Sequence, residues 1–228
     1  MLDVPVRPPV IALTLWLNAQ RSGHVSATDA ANACEFITQT LELRSDNAMT
    51  TWAAVVELAG HQQYPCIAVL PTHGDPRGLP ATLLASIQLD SGALVIGQSH
   101  ILYHDQNLIW TLHEEAHSVV QPDHSFSRRM FLEGLERATK TLTSADLIGD
   151  RSRVEAALDA LMHTHLPPHV DQRLLISLDQ ATRVRVVTTT ALNASLAPAS
   201  RSTDNLRIAT LQEIDVLARN LITAIASH

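Results

Sequence analysis

Hydrophobic positions in the last third of the chain recur at intervals of three and four residues. This spacing places them on one face of a helix, and two such stripes are present. The first comprises Val170, Leu174, Leu178, Ala181 and Val184, and the second comprises Leu211, Ile214, Leu217, Leu221 and Ile225. The polar segment 199–205 lies between the stripes, so we predict two long helices that pack as an antiparallel hairpin. Two more helices are predicted, at residues 126–142 and 151–163.

The first half of the chain begins with helix-like patterns. A helix is predicted at residues 11–21, with prolines at its entrance and Gly23 past its end. Ser26 is suited to cap a second helix. A third helix is predicted at residues 50–59, followed by Gly60 in the left-handed conformation.

Short strand-like runs follow in the same half. They lie between turn-rich segments, and the predicted strands cover residues 66–70, 93–96 and 101–103. Residues 82–89 predict a short crossover helix. The predicted fold class is therefore α+β: a mixed α/β region with a small sheet over residues 1–125, and an all-helical region with the long helix hairpin over residues 126–228.

Charge changes near the same boundary. Residues 1–125 carry 4 basic and 12 acidic side chains, whereas residues 126–228 carry 12 basic and 11 acidic ones. The net charge is −7 and no apolar run is long enough to span a bilayer. We therefore expect neither nucleic acid nor a membrane as a partner.

Two cysteines, Cys34 and Cys66, match no zinc or redox spacing and predict free buried thiols. The apolar run 10–17 is preceded by Asp3 and a proline pair, and no small-residue cleavage site follows it. We read this run as the first helix and not as a signal peptide, and we expect a cytoplasmic protein.

Three stretches resemble a family of uncharacterised actinobacterial proteins. They are LTLWLNAQRSGHVSATDA (13–30), GDPRGLP (74–80) and HLPPHVDQRLLISLDQATRVRVVTTTAL (165–192). Members of this family have a similar tryptophan-rich first helix, a proline-glycine loop after a strand and a leucine-rich helix entered through Leu-Pro-Pro. The resemblance covers most of the chain and implies an architecture, with no assigned reaction and no functional residues to carry over.

One motif has the spacing of a catalytic metal site. His113 to His117 reads HEEAH, which matches HExxH. On a helix, residues four apart lie about 6 Å apart along the axis, so both imidazoles can bind one Zn²⁺. The stretch HEEAHSVVQPDHS (113–125) resembles the metzincin pattern, which implies His113, His117 and Asp123 or His124 as the metal ligands. Glu133 or Glu136 would be the third ligand if the site followed other zincins. Glu114 would be the general base.

The same region also reads as a β-hairpin, with strand 101–103, turn 104–107 and strand 108–112. On a strand, residues four apart are about 13 Å apart and cannot share an ion. The metzincin pattern also has a glycine three residues after the second histidine, where the chain turns back to the metal, and this sequence has Val120 there. The family resemblance favours the hairpin, so the alternatives depend on whether residues 108–120 are helical.

We favour a non-catalytic binding or interaction protein over an enzyme. Its helical half would mediate self-association or bind a protein partner, and no cofactor is expected. The alternative is a zinc-dependent hydrolase of the metallopeptidase type that uses the HEEAH motif. Two weaker alternatives are a small-ligand site at loop 74–80 and a metal or pH-responsive site among the histidines at 100, 104, 113, 117 and 124.

Overall fold

A computed structural model describes residues 8–40, 42–46, 48–115, 119–144, 155, 158, 165–193 and 201–228. Its contacts divide the chain into two compact units. We call the unit formed by Arg7–Gln121, Thr164–Val170 and Ala226–His228 the sheet unit. The helical unit consists chiefly of Pro122–His163 and Asp171–Ile225.

The sheet unit is built on one mixed sheet of six strands, in the order β2-β1-β6-β5-β4-β3. All neighbouring strands are antiparallel except β1 and β6, which are parallel. The strands are β1 (Glu42–Ser45), β2 (Ala48–Thr51), β3 (Ile67–Val69), β4 (Ala93–Ile96), β5 (His100–His104) and β6 (Trp110–Glu114). The helices of this unit are α1 (Pro9–Arg21), α2 (Ala27–Thr38), α3 (Trp52–Gly60) and the single turn α4 (Ala81–Leu84).

Helix α1 lies at the centre of the hydrophobic core. Nine consecutive residues from Val10 to Asn18 are buried, so the helix is covered on all sides. It contacts α2, α3, β3 and β4. The predicted helix is confirmed, and Gly23 beyond it has a φ of 75° as its position requires.

The predicted hairpin is confirmed, and the helical alternative for residues 108–120 is wrong where the structure describes them. Strands β5 and β6 pair from His100 with Glu114 to His104 with Trp110. The Asp105 carboxylate accepts hydrogen bonds from the amides of Asn107 (2.8 Å) and Ile109 (2.9 Å). This side chain closes the turn and starts β6 two residues later than predicted.

Three local predictions need correction. Helix α3 begins at Trp52 and not at residue 50, because β2 runs to Thr51, whose hydroxyl caps the helix. Gly60 is the last residue of α3 and is not among the residues of positive φ. The crossover helix predicted at 82–89 is one α-helical turn followed by the 3₁₀ turn Leu89–Ser91. The Ser26 cap of α2 is confirmed by its hydrogen bond from the Asp29 amide.

The helical unit contains α5 (His124–Ser144), α6 (Gln172–Asn193) and α7 (Arg201–Ala226). Near the connection of the predicted helix hairpin, the Arg207 guanidinium on α7 donates to the Ala191 carbonyl on α6. Gly134 of α5 leaves room for Leu217 of α7. The α+β fold class and the helix hairpin are thereby confirmed.

Two predicted segments of this unit need comment: one ends earlier than predicted, and the structure describes only part of the other. Segment 199–205 was predicted as a polar connection, but α7 already begins at Arg201, with Asp204 in its first turn, where a carboxylate is favourable. Of the helix predicted at 151–163, the structure describes only residues 155 and 158, which are helical. In the described part of the chain, no helix is long and apolar enough to cross a membrane.

Candidate functional site

A cleft with a volume of about 740 Å³ opens in the sheet unit beside α1 and α2. We call it the α1–α2 cleft. It is formed by one residue of α1, the α1–α2 loop, one face of α2 and segment 165–169. The lining residues are Trp16, Gly23, His24, Val25, Ser26, Asp29, Asn32, Ala33, Phe36, His165, Pro168 and His169.

Three aromatic rings form one wall of the cleft. The rings of Trp16 and His165 are stacked, with centroids 5.5 Å apart and an angle of 14° between planes. The Phe36 ring meets His165 edge to face at 5.4 Å. The Trp16 indole N–H also donates to the His165 carbonyl at 3.2 Å. These contacts hold segment 165–169 against α1, and Phe36 keeps 70% of its surface exposed.

The other lining groups are polar. His24 and His169 face each other with ring centroids 6.0 Å apart. The Asp29 carboxylate is already engaged at the start of α2, where it accepts a hydrogen bond from the Ser26 hydroxyl at 2.7 Å. The side chains of His24, His169 and Asn32 have no hydrogen-bond partner among the residues that the structure describes.

His113 from the HEEAH motif lies on β6 and not on a helix. Its Nδ1 is 2.6 Å from the Asp46 carboxylate, and its Nε2 is 3.3 Å from Glu115. The second Asp46 oxygen accepts from the Glu114 amide at 3.0 Å. The imidazole therefore joins the β1–β2 turn to the end of β6.

Glu114 and Asp123 are other residues of the predicted metal site that the structure describes. Glu114 is exposed on β6, and Asp123 lies in the helical unit, where its carboxylate accepts from the Phe126 amide and caps α5. His117 lies outside the described residues. Where side chains are described, no group of three or more His, Cys, Asp or Glu could hold a metal ion. The zinc ligands and the role of Glu114 as base stay predictions.

His100 and His104 on β5 make separate side-chain contacts. His100 bonds to Ser99, while His104 stacks on Trp110 at 5.1 Å and bonds to Gln88. Loop 74–80 does not line the cleft, and its Arg77 pairs with Asp75 at 2.8 Å.

The two cysteines are free and buried, as predicted. Burial raises the pKa of the Cys66 thiol to about 12, although Arg21 acts against this rise. Burial also raises the pKa of the Cys34 thiol, and the nearby Cys66 and Glu35 raise this pKa further. Both side chains are therefore neutral thiols near pH 7 and poor nucleophiles.

The contacts of Asp46 make its contribution to stability dependent on pH. Partial burial on its own would raise the pKa of the carboxyl, but hydrogen bonds from the Glu114 amide and His113, with the charges of His113 and His100, lower it below its usual value. A carboxyl with a lowered folded-state pKa stabilises the fold above its unfolded pKa, and this stabilisation is lost as the pH falls through the folded-state value.

We expect the stability difference between the wild type and Asp46→Asn to shrink as the pH falls from about 6 to about 3. Urea denaturation at each pH measures it. Met49→Ala on the neighbouring strand β2 removes an exposed side chain without a titrating group, so its effect should not change with pH. A difference for Asp46→Asn that stays constant over this range would contradict the assigned contacts.

The cleft residues were not predicted from the sequence, where no site role was assigned to Trp16, His24, Phe36, His165 or His169. Trp16 and His165 are 149 positions apart, and no local pattern reports such a contact. The one sequence signal is the clustering of His163, His165 and His169 around the proline pair at 167–168.

Two family models match the chain. The first, described as the N-terminal domain of Rv1486c-like protein, matches residues 10–124. The second, its C-terminal domain, matches residues 127–221. A comparison with curated proteins and one with solved structures found no match. The two family matches together cover nearly the whole chain, which therefore belongs to the Rv1486c-like family of uncharacterised proteins.

Proposed function

We propose that the protein is a non-catalytic binding protein whose small-molecule ligand occupies the α1–α2 cleft. The observation that carries this proposal is the cleft itself. Its volume falls within the range of about 300–1,000 Å³ that is typical of small-molecule sites. It combines apolar ring surface with a few polar side chains that have no partner among the described residues, and these two features supply affinity and orientation.

The chemistry of the lining favours binding over catalysis. A general base is normally oriented by a second group that holds its ring. None of the described contacts of His24, His165 and His169 joins their ring nitrogens to a carboxylate or a hydroxyl. The Ser26 hydroxyl and Asp29 are already used to cap α2.

A thermal-shift screen with a mixed library of soluble metabolites tests the proposal. A ligand present at 100 times its Kd stabilises the folded state by about 2.7 kcal/mol, which gives a measurable rise in Tm. We expect compounds whose effect disappears in the double variant Phe36→Ala/His169→Ala. The double variant His61→Ala/Tyr64→Ala is the matched control, because it removes one exposed imidazole and one exposed ring away from the cleft.

Stabilising compounds that act equally on both double variants would bind elsewhere and would contradict the cleft as the binding site. A library without any stabilising compound would count against the proposed function as a whole.

The helical unit supports a second proposal, association with another copy of this chain. Large apolar side chains are exposed on each of its described helices, including Phe126 (54%), Ile176 (62%) and Leu206 (51%). Residues 126–228 are nearly neutral in charge, so two copies would meet without strong net repulsion.

We expect light scattering after size exclusion to give the mass of a dimer for the wild type and of a monomer for Ile176→Lys/Leu206→Lys. Met49→Lys places the same charge on an exposed apolar site of the sheet unit and serves as the control. A wild-type monomer at about 100 μM would contradict self-association, since this concentration populates dimers with Kd values well into the micromolar range.

A further inference from the structure

We propose that the α1–α2 cleft takes a planar, uncharged heteroaromatic ligand with hydrogen-bonding groups on its edge. This inference rests on the proposed function, because it names the class of ligand for the same site. It follows from three properties of the cleft: its ring geometry, its polar groups and its charge.

The rings of the aromatic wall leave a surface for one more ring. Trp16 and His165 already stack nearly parallel, and Phe36 meets His165 at 61°. Trp16 is only 6% exposed, whereas Phe36 is 70% exposed at the edge of the cluster. A flat ligand ring placed against Phe36 and His165 extends the cluster in the offset or edge-to-face geometries that aromatic pairs prefer.

The cleft also presents polar groups for the edge of such a ring. A neutral imidazole offers one donor and one acceptor, and an amide offers both. The side chains of His24, His169 and Asn32 line the cleft, and among the described residues they have no hydrogen-bond partner. They can therefore exchange bound water for ring nitrogens, amino groups or carbonyl oxygens of a heterocycle.

The charge of the cleft disfavours an anion. Among its described lining residues there is no Lys and no Arg, and the one acidic residue is Asp29. A phosphate or polycarboxylate would meet this carboxylate without any permanent cation to offset it. A saturated polar molecule would leave the exposed face of Phe36 without a partner. A flat neutral heterocycle avoids the repulsion from Asp29 and also packs against the exposed face of Phe36.

An NMR titration of ¹⁵N-labelled full chain tests the ligand class with four probes. Adenine and nicotinamide are flat and uncharged, cyclohexanecarboxamide is a saturated analogue of nicotinamide, and inorganic phosphate is an anion. We expect adenine and nicotinamide to shift the amides of residues 23–36 and 165–169. Their Kd values should be about tenfold lower than that of cyclohexanecarboxamide, the upper end of the gain from an aromatic pair.

Single-residue variants show whether adenine stacks in the cleft or binds unspecifically elsewhere. Phe36→Ala should raise the Kd of adenine by about fivefold to tenfold, whereas Tyr64→Ala should leave it unchanged. Bound adenine protons should move upfield, as protons do over the face of a ring, and less so in Phe36→Ala. His169→Ala is a second variant at an exposed position, and it should weaken adenine and nicotinamide alike.

The outcomes distinguish the ligand class from the proposed function. Cleft shifts caused by cyclohexanecarboxamide or phosphate at equal or lower Kd would overturn the ligand class, and so would the absence of cleft shifts with both flat probes. The proposed function would survive either result if the metabolite screen yields compounds that need Phe36 and His169. If the screen also fails, both proposals are wrong.

Discussion

We expect Asn18→Leu to lower the free energy of unfolding by about 3 kcal/mol, because leucine has a similar volume but makes no hydrogen bond. The buried Asn18 amide donates to the carbonyls of Cys66 (2.9 Å) and Ala226 (3.2 Å), and its oxygen accepts from the Cys66 amide (2.8 Å). Each buried backbone group that loses its partner costs about 1–3 kcal/mol. The apolar gain from leucine offsets only part of this.

Urea denaturation followed by tryptophan fluorescence measures this loss in the relevant part of the molecule. All three tryptophans, Trp16, Trp52 and Trp110, belong to the sheet unit, so their emission reports the unfolding of that unit. Asn205→Leu makes the same change at an exposed site on α7 and should alter stability by less than about 0.5 kcal/mol. Equal losses for the two variants would contradict the role of Asn18.

We expect Gly92→Ala to destabilise the sheet unit by about 3–4 kcal/mol, from strain and overlap together. Gly92 has φ 73° and ψ −173°, a region that residues with a Cβ essentially do not enter. An added Cβ would lie 2.7 Å from Val10 Cγ2 and 2.8 Å from the Val69 carbonyl oxygen. The second contact is with backbone of β3, which cannot rotate away as a side chain could.

Gly74→Ala separates these two causes. Gly74 also has a positive φ (83°), but a Cβ at this position meets no atom within 4 Å. The substitution should therefore cost only the conformational term, about 1–2 kcal/mol. Denaturation of both variants in parallel measures the difference, and a Gly92→Ala loss no larger than that of Gly74→Ala would show that the overlap with Val10 and Val69 is relieved.

Elements with local signals were predicted well from the sequence. Ser26 caps α2, and its hydroxyl accepts from the Asp29 amide as its residue type and position suggest. Strand β4 coincides with the predicted run 93–96, because all four side chains are buried and apolar. Strands β1 and β2 were missed, since most of their side chains are exposed and their sequences show no apolar alternation.

The candidate site was not predicted because its parts have no local relation. The Trp16–His165 stack joins α1 to a segment that follows both the sheet and α5 in the chain. His113 likewise finds Asp46 only because β1 pairs with β6, although 67 positions separate the two residues. Such pairings depend on burial and hydrogen bonding across the whole unit.

The sequence by itself determined the α+β fold class, the long helices and the helix hairpin, because periodicity, capping and proline placement act within a few residues. Only the tertiary structure decided whether His113 and Glu114 are helical or extended. The pattern of residues 108–114 suits both conformations, and pairing of β6 with β5 and β1 selects the strand. The same long-range packing brings Trp16, Phe36 and His165 to one cleft, which no short segment of the chain could specify.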